Sequence, residues 1–144
     1  VIDAIARHGA TDVVVINRSE ARARHAAGLA GDVGRVGVAD DVAAVDIIVN
    51  ATSVGMAVDP ERAGITDLPL PLAAIEPRHV VADLVYHPLD TPLLRGARER
   101  GAITVDGLGM LIHQAVLQQE LWTGRRPDPM VMRAAAEAAI ASRA

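Results

Sequence analysis

Apolar residues fall along this chain in short unbroken runs, and the stretches between them carry helical spacing. DVVVI at 12–16 is β-branched almost throughout, the mark of a strand buried on both faces of a parallel sheet. Before it, VIDAIARHGA reads as the last turns of a helix closed by Gly9. After it, Ser19 is placed to cap a helix in which Ala23, Ala26, Ala27 and Ala30 form a stripe of small residues suited to close packing on a sheet. GRVGV at 34–38 predicts a short strand, DIIVN at 46–50 a clearer one, and HVVADLVY at 79–86 and AITV at 102–105 two more. A loop rich in Pro and Gly runs from about Gly55 to Pro71. Thr91 before Pro92 supplies an N-cap and an N1 proline, so PLLRGARER is predicted helical up to Gly101. Gly107 opens a long helix to about Thr123, and Asp128 with Pro129 starts a final one. Strands alternating with helices of this length predict an α/β fold, a wound parallel sheet with helices on both faces.

Composition narrows the function classes. The chain has 144 residues, of which 51% are apolar, enough to bury the core of one domain. Tyr86 and Trp122 are its only aromatics, so that core is built from Ala, Val, Leu and Ile, with Trp122 expected inside it. The absence of cysteine removes disulfides, thiolate metal sites and cysteine nucleophiles. No apolar run approaches the roughly 20 residues that span a bilayer, so a cytoplasmic protein without membrane contact is expected. The net charge of −4 and the dispersed basic residues argue against a nucleic-acid surface. All 14 of those basic residues are arginine; there is no lysine. His8, His25, His79, His87 and His113 lack metal-ligand spacing, so no metal is expected. Asp83 and Asp106 sit near strand ends, where caps or turn braces are the simpler role.

In wound sheets, ligands bind beyond the C-terminal ends of the strands. Four of these ends carry unusual residues. NRS at 17–19 follows the first run, at the position where an acidic residue would hold a free ribose 2′-hydroxyl in a dinucleotide site, and no acid stands there. Arg18 has the chemistry to stack on adenine and pair with a 2′-phosphate, Ser19 offers a hydroxyl and a helix amide, and Arg22 lies one turn on. The alternative is a solvated arginine with Ser19 merely capping. NATSVGM at 50–56 is small enough for a ligand to approach its backbone, and the amides of Ala51 to Val54 could line a pyrophosphate or a ribose; a tight turn is the competing reading. Tyr86, in DLVYHPLDTPLL, is either a phenol at a site or a half-buried aromatic. Gln114, in DGLGMLIHQA, lies one turn beyond Met110 at the margin of the stripe Leu108, Leu111, Ile112 and Ala115, facing either a cleft or solvent.

Together and in this order, the four segments resemble the shikimate dehydrogenases over the chain from about Thr11 to Asp128. The resemblance implies a Rossmann-like fold and reversible, NADPH-dependent reduction of 3-dehydroshikimate to shikimate. It implies that Asn17, Arg18, Ser19 and Arg22 hold the 2′-phosphate of NADP, and that Asn50, Ala51, Thr52, Ser53 and Val54 lie along the cofactor. It further implies that Leu84, Gly107 and Met110 approach the nicotinamide end, and that Tyr86 and Gln114 reach the substrate. Members of the family carry an N-terminal substrate domain with a catalytic lysine and aspartate, then a first strand ending in a Gly-rich turn. Neither is found in these residues. The chain is therefore expected to be the cofactor half, truncated at its N-terminal strand, with 1–144 as NADP-binding domain and 125–144 as its linker and last helix. That half alone is expected to be inactive, without catalytic residues of its own, and to have the N-terminal domain as structural partner. A non-catalytic nucleotide-binding or assembly module, and a relative acting on quinate, are the alternatives.

Overall fold

The computed structural model describes residues 1–56 and 70–142. Among the described residues ten helices and strands follow one another: α1 (Ile2–Arg7), β1 (Val13–Val15), α2 (Glu20–Gly28), β2 (Gly34–Val36), β3 (Ile47–Asn50), β4 (Val80–Asp83), α3 (Pro92–Glu99), β5 (Ile103–Val105), α4 (Gly107–Thr123) and α5 (Pro129–Ala141). Short 3-10 turns lie at Gly31–Val33, Ala39–Ala44 and Leu72–Ala74. Most of the loop expected between Gly55 and Pro71 lies outside the described residues.

Every strand pair is parallel, as the strand–helix alternation requires. The strands form two sheets, β1–β2 and β3–β4–β5, where one wound sheet was expected. In the larger sheet Ile47, Val80 and Ile103 stand in one row, and Val49, Ala82 and Val105 in another. β4 is shorter than the apolar run suggested, because the chain turns away from the ladder at Asp83, with Leu84 N–H still donating to the Asn50 carbonyl.

Side chains alternate across a strand, so this sheet has two unlike faces. Ile48 and Val81 face Leu93, Leu94 and Ala97 of α3, together with Val42, Ile75 and Ala102, and form the main core. The opposite face carries Ile47, Val49, Val80, Ala82, Ile103 and Val105. There Ile103 is 63% exposed and Ile47 55%, an uncovered apolar surface on a parallel sheet. In β1 only Val13 is buried and its neighbours are half-buried, since α2 covers one side of that run.

The small-residue stripe of α2 performs as its spacing predicts. Ala23 and Ala27 are buried and Ala26 half-buried, Ala30 is buried just past the end of the helix, and a Cβ on Gly34 of β2 would lie 2.0 Å from the Ala27 carbonyl oxygen. Ser19 caps α2, Thr91 caps α3 with Pro92 in its first turn, and Asp128 caps α5. Leu108, Ile112 and Val116 of α4 pack on Met132, Ala136 and Ile140 of α5, forming a second core. Trp122 is not in it. The indole is 74% exposed, on the last turn of α4 beyond that contact.

Candidate functional site

The residues singled out by sequence gather at the C-terminal ends of β1, β3, β4 and β5. At the end of β1 the backbone N–H of Ser19 donates to Asn17 Oδ1 at 2.9 Å, and Arg22 N–H reaches Ser19 Oγ at 3.5 Å. Asn17 and Ser19 thus shape the turn and start α2. Arg18 and Arg22 are exposed, and their guanidinium groups have no carboxylate partner among the described residues. Arg24 on the same helix, by contrast, pairs with Glu20 at 2.5 Å, and Arg35 with Asp12 and Asp41. Two guanidiniums without a carboxylate partner among the described residues, beside a helix N-terminus, make the end of β1 suited to a phosphate.

At the end of β3 the loop 50–54 is tied together from inside. Asn50 Oδ1 accepts from Thr52 N–H at 3.1 Å and from Thr52 Oγ1 at 2.7 Å, while Asn50 Nδ2 donates to the Val54 carbonyl at 3.0 Å. Thr52 Oγ1 in turn accepts from Val54 N–H at 3.1 Å. Two of the four amides from Ala51 to Val54 are therefore turned inward. Ala51, Thr52 and Ser53 are exposed and Val54 half-buried, so what the loop offers a ligand is chiefly the face of its small residues.

The end of β4 joins this loop through Asp83. Asp83 Oδ1 accepts from Asn50 Nδ2 at 2.9 Å and from Val85 N–H at 3.0 Å, and Asp83 Oδ2 accepts from Thr91 Oγ1 at 2.7 Å. Asn50, Asp83 and Thr91 are all buried. The turn-bracing role read from sequence holds for Asp83; its partners did not show there, because they lie 33 positions before and 8 after it. The one available signal was polar residues at strand positions whose neighbours Ile48 and Val81 are core. Beyond the network, half-buried Leu84 is followed by Tyr86, 40% exposed, and by a cis His87–Pro88 bond.

β5 ends at the N-terminus of α4. A Cβ on Gly107 would lie 2.5 Å from the Val85 carbonyl oxygen and 2.6 Å from that of Leu84, so only glycine lets α4 press directly on the exit of β4. Asp106 caps α4 by accepting from the amides of Leu108 and Gly109, and Arg133 of α5 pairs with its other oxygen at 2.9 Å. Burial pushes the Asp106 carboxyl up, but Arg133 and the two amides outweigh it and hold the group below the ordinary range. Sequence reading gave the cap and not the arginine, which lies 27 positions on. Along α4, Met110 and Gln114 share a shallow groove with His113, Leu117, Gln118 and Leu121. Leu84, Val85 and Gly107 thus meet at one point, while Asn17, Arg18, Ser19 and Arg22 lie on the turn and helix that follow β1 of the other sheet. Among the described residues no three His, Asp or Glu side chains cluster as metal ligands, and no helix is long and apolar enough to cross a membrane.

Residues 107–137 match the family model described as "Shikimate 5'-dehydrogenase C-terminal domain". The shikimate dehydrogenase (NADP(+)) of Methylobacterium radiotolerans is 47% identical over 132 residues, which are 88% of this chain and 44% of that protein. The crystal structure of shikimate 5-dehydrogenase from Thermus thermophilus in complex with NADP(H) and shikimate superposes with a TM-score of 0.83 at 35% identity, covering 96% of this chain and 50% of the other. Quinate dehydrogenase from Corynebacterium glutamicum in complex with NAD superposes with a TM-score of 0.77, also at 35% identity, covering 92% of this chain and 48% of the other. The chain spans about half the length of the relatives it matches. With a Rossmann-like parallel α/β fold and these relatives along nearly its whole length, the chain belongs to the shikimate dehydrogenase family.

Proposed function

We propose that this chain is the NADP-binding half of a shikimate dehydrogenase that reduces 3-dehydroshikimate to shikimate reversibly. The observation that carries the reading is the pair of guanidiniums after β1, Arg18 and Arg22, that have no carboxylate partner among the described residues. A 2′-phosphate needs cations there, whereas a bare 2′-hydroxyl needs an acid, and 17–19 contains none. The residues fit such a cofactor at its other end too. The small, exposed face of Ala51 to Ser53 leaves room for it, and Gly107 removes the side chain that would crowd Leu84 and Val85.

In this reading NADPH supplies the hydride. Asn17 and Ser19 hold the turn, and Arg18 and Arg22 anchor the 2′-phosphate. Asn50 to Val54 run along the cofactor, with Leu84, Gly107 and Met110 at its nicotinamide end. Tyr86 and Gln114 offer a phenol and an amide to the hydroxyls and carboxylate of the substrate. Residues 1–144 form the NADP-binding domain, with 125–144 as its linker and last helix. The proton-transfer lysine and aspartate belong to an N-terminal domain, which is the structural partner of this half. The separation of β1–β2 from β3–β4–β5 and the bare apolar face of the larger sheet support a further strand and helix packed on this half, the link to that domain. We place the enzyme in the cytoplasm and in aromatic amino-acid biosynthesis, on the strength of the substrate.

The test is a titration of this chain with NADPH and NADH, followed by nicotinamide fluorescence. NADPH is expected to bind more tightly, and Arg18→Ala to weaken it by about tenfold or more, the loss of a charge-assisted contact. Affinity for NADH stays unchanged. An Arg18→Ala chain that binds NADPH as tightly as the parent overturns the assignment.

A further inference from the structure

Asp83 is not among the residues assigned to ligands, yet it receives one hydrogen bond from each of three segments. Asn50 belongs to the end of β3, Val85 to the exit of β4, and Thr91 to the cap of α3. All three partners donate, and a carboxylate accepts all three with no hydrogen of its own to place, whereas an asparagine turned to meet them would leave the Thr91 hydroxyl without an acceptor. Asp83 is 1% exposed and Thr91 fully buried, so water has no access to replace a lost bond. Asn50 has no spare capacity either. Its oxygen accepts twice from Thr52, and its nitrogen donates once to the Val54 carbonyl and once to Asp83. Any rotation of Asn50 that follows a change at Asp83 therefore reaches Thr52 and Val54 directly.

We propose that Asp83, backed by Thr91, is a positioning residue that fixes the cofactor loop 50–54 against the strand exit carrying Leu84 and Tyr86. The inference rests on the reading of the chain as an NADP site. It divides that site into two parts. The loop and the strand exit depend on Asp83, whereas Arg18, Ser19 and Arg22 lie on the turn and helix after β1, and no hydrogen bond among the described residues joins them to the network. A change at Asp83 is then felt along the nicotinamide half of the cofactor and not at the 2′-phosphate.

The experiment compares NADPH with adenosine 2′,5′-bisphosphate, which carries the 2′-phosphate but no nicotinamide, by calorimetry on the whole chain. Asp83→Asn, Thr91→Val and Thr91→Ser are the variants, and each is also followed by amide hydrogen exchange. Asp83→Asn and Thr91→Val are expected to weaken NADPH by about tenfold and to leave the bisphosphate within about twofold. Thr91→Ser, which keeps the hydroxyl, restores the parent affinity. Exchange at the amides of Thr52, Val54 and Val85 rises in the first two variants, and exchange in α2 does not. Equal weakening of both ligands, or unchanged exchange at Thr52 and Val54, overturns the proposal. If Asp83→Asn fails to fold, Thr91→Val decides: it puts a methyl in place of the hydroxyl and also costs α3 its cap, so raised exchange confined to α3 overturns the proposal. A parent chain that binds neither ligand refutes the NADP reading, and the exchange pattern then judges the positioning role by itself.

Discussion

Replacing Gly107 by alanine probes the contact that brings α4 against the exit of β4. The new Cβ would stand 2.5 Å from the Val85 carbonyl oxygen, 2.6 Å from the Leu84 oxygen and 2.7 Å from the Leu84 carbonyl carbon. All three are backbone atoms, so no side chain can swing aside. Non-bonded carbon and oxygen atoms rest at more than about 3 Å, so the N-terminus of α4 has to recede by roughly half an ångström or more. Overpacking of this kind costs about 1–3 kcal/mol. Alanine's better helix propensity offsets less than about 1 kcal/mol of that. The expected outcome in urea unfolding is a midpoint lowered by a net cost of about 1–2 kcal/mol at unchanged slope. Gly28→Ala is the matched control. Gly28 ends α2, and a Cβ there meets nothing within 4 Å, so the same substitution is expected to be neutral or stabilising by up to about 1 kcal/mol. If Gly107→Ala unfolds at the parent midpoint, with unchanged hydrogen exchange at Leu84 and Val85, the close approach is not what holds α4 in place.

Two further outcomes follow from packing and charge. Leu94, buried between α3 and the sheet, is expected to lose about 2–5 kcal/mol on truncation to alanine, whereas Ile103→Ser on the open face is expected to cost within about 0.5 kcal/mol. Paired unfolding curves check this, and equal losses would show that the open face is covered in solution. Arg98 chiefly, then Arg95, holds the Asp90 carboxyl below 3.8; Arg35 does so for Asp41; and at Asp106 the pull of Arg133 prevails over burial. Because these carboxyls titrate lower in the folded chain than in the unfolded one, their contribution is complete above about pH 5. It is lost as pH falls through 3.8 and below, so thermal midpoints hold steady down to that range and then drop. A midpoint that rises on acidification from pH 5 would contradict the sign.

Local signals were enough for most of the elements. Caps at Ser19, Thr91 and Asp128, prolines at 92 and 129, and the alanine stripe of α2 act over a few residues, and each lies where its spacing put it. The four strand-end segments stood out for the same reason: each is a contiguous stretch following an apolar run. Three things were decided only by tertiary structure. Asp83 meets Asn50 and Thr91, and Asp106 meets Arg133, across separations that no local pattern encodes. Trp122 looked like core by chemistry, but it stands on the last turn of α4, beyond the stretch Leu108–Val116 that packs on α5, and the indole is left in solvent. The apolar runs of β3, β4 and β5 gave strands, while which of their faces finds a helix depends on how the connections wind. In this chain α3 covers one face, and Ile47, Ile103 and Val105 on the other remain open. Sequence alone thus determined the element types and which polar residues stand at the strand ends, because both rest on short-range spacing. Tertiary packing decided which buried polar groups find each other and which apolar face stays bare, because those depend on contacts between segments far apart in the chain.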